Sequence, residues 1–187
     1  MIESNNLRNG TCFTYDNRLW KCLESQHVKP GKGPAFVRTR ILDLDSGSIV
    51  DKTFRAGEKI QDVRVERRPC TFSYVDGDDY VFMDNESYEQ YMVPATFVAE
   101  DADFLIEECP VDVSLYEERV LSVELPASYA YEVVETDPGD KGDTASGGTK
   151  PAKLNSGGTV QVPLFIKVGE RIVVDPRTKR YIGRDKG

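Results

Sequence analysis

The stretch TFSYVDGDDYVFMD, residues 71–84, is typical of two short strands joined by a tight turn. β-branched and aromatic residues recur at every second position in both halves, which is the pattern of a half-buried strand. Between the halves, the DGDD turn at Asp76 to Asp79 has the chemistry that closes a β-hairpin. The aromatic side chains on the predicted strand face are expected to pack in a core instead of stacking on bases; they are Phe72, Tyr74, Tyr80 and Phe82.

Similar short runs extend outward from this hairpin in both directions. Before it come TCFTYD, RLWKCL, AFVRTRILDL, IVDKTF and VRVERR, and after it come VDVSLY, VLSVELP, SYAYEVVET, TVQVPLFIKV, RIVVD and RYIGR. Turn chemistry separates them, at Asp16-Asn17, Ser46-Gly47 and Glu117-Glu118. The sequence therefore predicts an all-β protein made of small barrels.

Two segments depart from the strand pattern. Residues 85–110 are predicted to be partly helical, in short pieces limited by Pro94 and Pro110, because four residues fall at helical spacing: Ala102, Leu105, Ile106 and Cys109. Residues 137–158 are rich in Gly, Pro and Asp and have no apolar periodicity, which predicts a long loop. A loop of that length inside a β-domain is usually functional or disordered.

The strand groups divide the chain into three domains, at residues 1–64, 65–127 and 128–187. The second and third groups each contain about five short strands, and the second also holds the partly helical piece. This arrangement is typical of the OB-fold, a partly open Greek-key barrel that often binds nucleic acid.

Charge is distributed unevenly over these domains. The net charge is −8, but residues 1–64 carry 11 basic against 8 acidic side chains, residues 65–127 carry 3 against 16, and residues 128–187 carry 10 against 8. An acidic middle between two mildly basic ends fits a body that touches a polyanion at its extremities. A solvated acidic face kept for solubility explains the charge equally well.

Several kinds of chemistry are not indicated. A single histidine, His27, leaves no catalytic triad, and a phosphate-binding loop around Lys32 fails because Gln26 and Gly33 stand where that motif requires other residues. We therefore predict no catalytic residue, no metal and no cofactor. The cysteines form no metal or disulfide pattern and are expected to be buried small hydrophobes: Cys12, Cys22, Cys70 and Cys109. No leader or membrane-length apolar run is present, so we expect a cytoplasmic protein without a membrane partner.

The stretch HVKPGKGPAF, residues 27–36, places one lysine, Lys32, between Gly31 and Gly33 and brackets that triplet with Pro30 and Pro34. The glycines permit backbone angles closed to other residues, and the prolines lower the entropy lost when such a tip docks. On local grounds alone, an ordinary surface turn is the favoured interpretation, because Gly and Pro dominate turns.

Six motifs in order along the chain resemble bacterial elongation factor P. They are HVKPGKGPAFVR (27–38), DKTFRAGEK (51–59), DGDDYVFMDNESYEQ (76–90), GDT (142–144), KPAKLNSGGTVQVPLFIKVG (150–169) and YIGR (181–184). The fifth is the most specific, and it matches the family pattern through Lys150, Ala152, Gly157, Val160, Val162, Pro163, Ile166 and Gly169. The resemblance extends from one end of the chain to the other.

The resemblance implies an N-terminal KOW-like (SH3-like) barrel followed by two OB domains, in an L-shaped, tRNA-like outline. It also implies a monomer that is not an enzyme and that binds the 70S ribosome between the peptidyl and exit sites. There the factor would contact ribosomal RNA and peptidyl-tRNA and relieve stalling at consecutive prolines.

Individual residues acquire expected roles from the same resemblance. Lys32 matches the tip lysine that reaches toward the CCA end of the tRNA, and its supporting loop consists of Pro30, Gly31, Gly33 and Pro34. The loop expected near the exit-site codon and the small subunit consists of Gly142, Asp143 and Thr144. The expected C-terminal RNA contacts are Arg177, Lys179, Arg180, Tyr181 and Arg184.

Two features set this chain apart within the resemblance. Many relatives carry a modification on the tip lysine, which would make a lysine-modifying enzyme a partner, but the PGKGP sequence is typical of a subgroup whose loop works with unmodified lysine. Modification of Lys32 is therefore not carried over. Relatives also often have Gly where this chain has Lys179, and its tail continues through residues 185–187.

Two other functions stay open. One is a paralogue in the same family with a different translational target. The other is a generic OB-type binder of single-stranded nucleic acid, which would bind free oligonucleotides tightly; the acidic middle domain argues against it.

Overall fold

The computed structural model describes residues 1–139 and 147–187. Within these residues, the regular structure comprises sixteen β-strands and three short 3-10 helices, so the predicted all-β class is confirmed. The chain divides into two compact units, Met1–Glu66 and Arg67–Gly187. No helix of the described residues is long and apolar enough to cross a membrane.

The first unit is built on one antiparallel sheet. Its strands are β1 (Ile2–Glu3), β2 (Cys12–Tyr15), β3 (Arg18–Val28), β4 (Phe36–Asp43), β5 (Ile49–Arg55) and β6 (Lys59–Asp62), in the order β1-β6-β2-β3-β4-β5. A 3-10 turn at Ser4–Asn6 follows β1. The predicted turns are confirmed, because Asp16, Asn17 and Gly47 all have positive φ.

The core of the first unit is small and aromatic. Phe54 is 1% exposed, and the rings of Phe13 and Tyr15 both meet it edge-on. The rest of this cluster is Leu7, Trp20, Cys22, Ile41 and Ile60. Burial of these side chains packs the strands against one another and holds the two strands that carry the Lys32 loop.

The second unit contains two five-stranded sheets, of which the first begins with the 71–84 hairpin. Its strands are β7 (Glu66–Asp76), β8 (Asp79–Asp84), β9 (Gln90–Pro94), β10 (Pro110–Tyr116) and β11 (Arg119–Glu124), in the order β11-β10-β7-β8-β9. The segment predicted to be partly helical forms β9 and two single 3-10 turns, Ala95–Phe97 and Ala102–Phe104. Of the four residues at helical spacing, only Ala102 lies in one of these turns.

The expectation that all four aromatics of this hairpin are buried is wrong for one of them. Phe72 and Phe82 pair across the hairpin and are both buried, but a register shift after Phe72 pairs Tyr74 with Val81. This bulge breaks the two-residue alternation, and Tyr74 is 50% exposed.

The second sheet of this unit lies within the predicted third domain. Its strands are β12 (Tyr129–Thr136), β13 (Thr149–Leu154), β14 (Thr159–Pro163), β15 (Arg171–Asp175) and β16 (Arg180–Arg184), in the order β14-β13-β12-β15-β16. Strand β13 falls inside the segment predicted to be a loop, so that prediction is wrong for residues 149–154. The strand buries Lys150, Ala152 and Leu154 on one face. Because one of these buried residues is a lysine, the sequence does not show the alternation of apolar and polar residues.

One hydrophobic cluster joins the two sheets of the second unit. Tyr131, fully buried, donates its hydroxyl to the Phe104 carbonyl at 2.6 Å and meets the Phe104 ring edge-on. At Gly158 an added Cβ would lie 2.8 Å from both the Asp103 carbonyl oxygen and the Phe104 ring, so only glycine allows this approach. Because the two sheets share a core, the predicted boundary near residue 127 stays a prediction.

A buried aspartate ends one strand in each of the two units. Asp43 ends β4 and accepts hydrogen bonds from the amides of Asp45 and Ser46 and from Arg18. Asp84 ends β8 and accepts from the amides of Glu86 and Ser87. Each side chain is 1% exposed, and these hydrogen bonds, chiefly from backbone amides, lower the pKa of both carboxyl groups.

The four cysteines are free thiols and all are buried, as the sequence predicts. Burial raises the pKa of each of them, to about 11 for Cys70 and Cys109. Cys12 and Cys22 belong to the first unit, and Cys70 and Cys109 to the second.

Candidate nucleic-acid interface

Lys32 lies in the connection between β3 and β4, the two strands with the most extensive pairing in the first unit. Their ladder continues to the pair Val28 and Phe36, and residues 29–35, the tip loop, follow directly. The Ala56 amide donates to the Ala35 carbonyl at 3.1 Å, which ties the loop's base to the neighbouring turn. The sheet therefore holds the base of the loop and leaves its apex exposed.

The two glycines beside Lys32 have different backbone requirements. Gly33 has φ +107°, a conformation that residues with side chains rarely adopt. Gly31 lies outside the left-handed region, and a Cβ added there would meet nothing within 4 Å. The conformational argument made from the sequence for both glycines therefore holds for Gly33 alone.

The Lys32 ammonium is available to a partner. It is exposed, and within residues 1–139 and 147–187 no hydrogen bond or ion pair engages it. Pro30 at the loop's base is half-buried, whereas Pro34 is exposed. A primary ammonium on a short restrained loop is suited to contacting phosphate or base oxygens.

Strand β4 adds a basic side chain, Arg38, that closes the 27–38 motif but was assigned no role from the sequence. Arg38 and Arg40 alternate with buried Val37, Thr39 and Ile41, so both arginines lie on the exposed face. Arg40 pairs across the sheet with Glu24 and Asp51, whereas Arg38 pairs with Gln26 and Thr53. Arg38 therefore has no acidic residue opposite it, and its guanidinium lies 5.8 Å from the Phe36 ring centroid, beside the tip loop. The alternation in FVRTRILD is the signal that could have identified it.

The five expected C-terminal RNA contacts are here named the C-terminal basic set. Its first member, Arg177, is held inside its own turn. Its guanidinium bonds the Asp175 carboxylate at 3.2 and 3.3 Å, and its backbone amide donates to the same carboxylate at 2.9 Å. The side-chain hydrogen bond from Arg177 is the main cause of the lowered pKa of Asp175. Arg177 thus shapes the β15–β16 turn.

Lys179 points into the junction of the two sheets of the second unit. Its ammonium donates to the Glu100 carbonyl at 2.9 Å and lies 5.7 Å from the Phe104 ring centroid. Its backbone has φ +58°, which is unfavourable for a side chain of this kind. The contacts of Lys179 are therefore made within the protein.

The remaining three members of the set also differ from one another in their surroundings. Tyr181 is half-buried against the hydrophobic core, and Arg184 bonds Glu170 at 3.1 Å and covers the Phe165 ring at 4.5 Å. Arg180 is exposed and has no hydrogen bond or ion pair among the residues that the structure describes. The structure thus leaves Arg180 as the uncompensated cation of the five, and the RNA-contact role of the set stays a prediction.

The predicted exit-site loop, Gly142, Asp143 and Thr144, lies outside the described residues. The residues before and after this loop contact each other. Lys150, which follows it, is 7% exposed and donates to the carbonyl of Asp137, which precedes it. At Gly139 an added Cβ would lie 2.2 Å from the Leu164 carbonyl oxygen, so the chain approaches β14's end closely there.

Family comparisons match three models along the chain. They are the elongation factor P KOW-like domain at residues 3–60, the elongation factor P OB domain at residues 65–123 and the elongation factor P C-terminal domain at residues 130–184. The lysine of the tip loop lies in the first of them, and the C-terminal basic set lies in the third.

Curated relatives are similar to this chain over nearly its whole length. The chain is 50% identical over 185 residues to elongation factor P of Synechocystis sp., covering 99% of both chains. It is 48% identical over 184 residues to elongation factor P of Saccharopolyspora erythraea, covering 98% of both. A solved structure titled eukaryotic translation initiation factor 5A, from Methanococcus jannaschii, matches at 17% identity with a TM-score of 0.50, covering 67% of this chain and 90% of that one.

That structural likeness concerns the fold alone, because its sequence identity is low. The family models and the near-full-length identities address the family directly. The chain therefore belongs to the elongation factor P family, a family of bacterial translation factors.

Proposed function

We propose that this protein binds the ribosome between the peptidyl and exit sites and stimulates peptide bond formation at consecutive prolines by positioning peptidyl-tRNA. Family membership supports a ribosomal partner. The observation that carries the proposal is the tip loop, an uncompensated lysine presented beyond a long strand pair on a loop with two prolines and one positive-φ glycine.

In this proposal the ribosome performs the chemistry and the protein reduces the disorder of the reactants. The proline ring restricts the geometries in which proline attacks or accepts a peptidyl group. Holding reactants in an attack-competent pose can lower a barrier by roughly 7–11 kcal/mol in the best cases. A fraction of that effect is enough to relieve a stall, since about 1.4 kcal/mol is a tenfold change in rate.

The role of Lys32 follows from its exposure. Its ammonium would contact the backbone and bases of the CCA end and would transfer no proton. Arg38 on β4 would add a phosphate contact behind the tip. Arg180 would do the same from the third domain, whereas Lys179, although exposed, would hold the second unit together through its contacts with Glu100 and Phe104.

Translation of a Pro-Pro-Pro reporter in a reconstituted system tests the proposal. Lys32→Ala should lower rescue at least tenfold, while ribosome affinity changes by about twofold or less because many other contacts remain. Lys29→Ala is the matched control, since it removes a second exposed lysine from the same loop at its base. It should keep most of the rescue activity.

Other outcomes would identify the alternatives. Equal rescue by the parent and by Lys32→Ala would mean that the turn has no positioning role. Normal ribosome binding together with rescue only on reporters without consecutive prolines would favour a paralogue with another target. Tight, salt-sensitive binding to free oligonucleotides would favour a general single-strand binder.

The modification state of Lys32 is tested separately by intact mass of the native protein. An unmodified mass with full rescue supports a loop that works with a bare ammonium, stiffened by its prolines. A mass increase on Lys32, coupled to loss of rescue when the unmodified recombinant protein is used, would instead make a lysine-modifying enzyme an obligatory partner.

A further inference from the structure

The turn between β5 and β6, residues 55–58, has no part in the proposed function, although it lies in the DKTFRAGEK motif at residues 51–59. We name it the Arg55 turn. Its Ala56 amide donates to the Ala35 carbonyl at 3.1 Å. Among the residues that the structure describes, this is the one hydrogen bond that reaches the tip loop from outside strands β3 and β4. The position of the Arg55 turn therefore bears on the position of the loop.

The Arg55 turn closes with its own hydrogen bonds. The Glu58 amide donates to the Arg55 carbonyl at 3.1 Å, and the Arg55 amide donates to the Glu58 carboxylate at 3.0 Å. Gly57, the third residue of the turn, has φ +77°, whereas Ala56, the second, has a negative φ; this is the pattern of a type II turn. These local contacts are enough to form the turn without help from another segment.

The N-terminal segment nevertheless adds three hydrogen bonds to the same turn. The Ser4 hydroxyl donates to the Arg55 carbonyl at 2.6 Å, and the Ser4 amide donates to the Glu58 carbonyl at 2.8 Å. The side-chain carbonyl of Asn5 accepts from the Gly57 amide at 3.2 Å. Because β1 pairs with β6, this segment lies directly beside the turn. The turn is thus fixed to the rest of the unit as well as closed.

Ser4 is the fully buried member of this contact, with an exposed fraction of 0%. A buried hydroxyl is unfavourable unless it is hydrogen-bonded, and an alanine would fill such a position without any polar group that needs a partner. The hydroxyl of Ser4 therefore supplies a directed contact in addition to packing, and its acceptor is the carbonyl immediately before Ala56.

One peptide group joins the two contacts. The peptide between Arg55 and Ala56 accepts from the Ser4 hydroxyl through its oxygen and donates to the Ala35 carbonyl through its N–H. A peptide group is planar, so holding its oxygen also fixes the direction of its N–H. The Ser4 hydroxyl is therefore connected to the base of the tip loop through a single rigid group.

We propose that Ser4 is a positioning residue for Lys32. Its hydroxyl orients the 55–56 peptide group, and that group holds Ala35, three residues after Lys32 in the chain. The inference rests on the proposed function, in which the lysine must meet the CCA end of the tRNA. A misplacement of about 1 Å in such a contact can lower a rate by roughly 100-fold.

Ser4→Ala tests the first contact, because it removes the hydroxyl and keeps the backbone hydrogen bond to Glu58. At saturating factor, the rate of Pro-Pro-Pro reporter synthesis should fall about threefold to tenfold. The factor concentration that gives half of the maximal rate should change by less than about twofold, because positioning acts after the factor has bound. A parent-like maximal rate would contradict the proposal.

Thr39→Val is the control for a general loss of stability. Thr39 is 4% exposed, and its hydroxyl donates to the Lys52 carbonyl at 2.7 Å, between β4 and β5. Each variant loses one buried hydroxyl-to-carbonyl hydrogen bond, so their urea midpoints, read from Trp20 fluorescence, should shift by similar amounts. Thr39→Val should keep the parent's maximal rate. An equal loss of rate in both variants would overturn the proposal, because stability alone would explain it.

Ala56→Pro tests the second contact and does not depend on the packing around Ser4. Proline is common at the second position of a type II turn, and Arg55 before it lies in a strand, as a residue before proline prefers. The substitution replaces the N–H that bonds Ala35 with a ring carbon, so the turn should form while the base of the loop moves away. The maximal rate should fall at least as far as in Ser4→Ala. A parent-like rate in both variants would show that this connection positions nothing.

NMR relaxation of backbone amides in the free protein separates this proposal from the proposed function. Residues 31–33 should move with larger amplitude in Ser4→Ala and Ala56→Pro than in the parent, whereas Thr39→Val should match the parent. Unchanged relaxation in the first two variants would overturn the proposal, whatever the reporter shows. Full rescue by Lys32→Ala, with relaxation still altered in those two variants, would count against the proposed function alone.

Discussion

At the scale of single residues, Gly31 and Gly33 flank the same lysine but differ in what their backbones demand. Gly33→Ala places a side chain at φ +107° and should cost about 1–2 kcal/mol in the native loop conformation. The loop would then adopt another conformation, and rescue of a Pro-Pro-Pro reporter should fall severalfold.

The matched variant Gly31→Ala adds a Cβ into open space and should keep rescue near the parent level. Kinetics of reporter synthesis at saturating factor measure both variants. Equal activity of the two would show that the loop conformation in the free protein has no bearing on function.

Acid stability belongs to the same scale and depends on Asp43 and Asp84. Hydrogen bonds lower the pKa of both carboxyl groups in the folded state, so their stabilisation is fully present above the unfolded value, near 3.9. It is lost as pH falls through the lower folded-state pKa. We expect stability measured by chemical denaturation to decline below about pH 4.

Asp43→Asn and Asp84→Asn should each flatten that acid limb, because the amide cannot ionise. The change should appear as a smaller difference in unfolding free energy between pH 6 and pH 3. An unchanged slope in the double variant would assign the acid sensitivity to other carboxyl groups.

At the scale of elements, the β15–β16 turn contains two neighbouring cations with different environments. Lys179→Met removes the hydrogen bond to Glu100 and the contact with the Phe104 ring, and should lower the unfolding free energy of the second unit by about 0.5–2 kcal/mol. Ribosome affinity at high salt should change little.

Arg180→Met gives the opposite pattern. Because Arg180 is exposed and uncompensated among the described residues, stability should change by less than about 0.5 kcal/mol. Ribosome affinity should fall, and its dependence on salt should become less steep. Reversed behaviour of the two variants would mean that Lys179 faces RNA after all.

The elements also indicate how far the sequence predicts the structure. Two-residue alternation predicted most of the strands, and turn chemistry predicted the hairpins at Asp16-Asn17 and Glu117-Glu118. Alternation failed to predict β13, because Lys150 occupies a buried position where an apolar residue is expected. Its ammonium donates to the carbonyl of Asp137, and the local sequence pattern does not reveal that hydrogen bond. Alternation also failed at Tyr74, because an inserted residue changes the register without leaving a signal in composition.

The candidate site shows the same division. The motif and the two prolines identified Lys32, whereas the lack of an acidic partner for Arg38 depends on which residues lie across the sheet. Lys179 looked like an RNA contact because it is basic and lies near other basic residues. Its contacts with Glu100 and Phe104 depend on how the two sheets meet, and local sequence carries no information about that junction.

At the scale of the whole molecule, the two hydrophobic clusters predict two unfolding units. The only tryptophan, Trp20, is buried in the first cluster, so its fluorescence should report the unit Met1–Glu66. Phe54→Ala should destabilise that unit by about 3–5 kcal/mol and lower the fluorescence midpoint in urea. Circular dichroism should then show a second, later transition from residues 67–187.

Tyr131→Phe is the complementary variant. It removes the hydrogen bond to the Phe104 carbonyl and should lower the stability of the second unit by about 1–2 kcal/mol, leaving the Trp20 transition in place. Coincident shifts of both transitions in either variant would indicate a single cooperative unit.

Because all four cysteines are buried, we expect the native protein to react only slowly with thiol-directed dyes. Buried thiols with raised pKa present little thiolate at neutral pH, so a cysteine introduced at an exposed position would label selectively in the wild-type background. The native thiols become reactive when their surroundings open, two in each unit. Brief alkylation followed by peptide mapping would therefore record which half of the molecule had opened first, without any engineered probe.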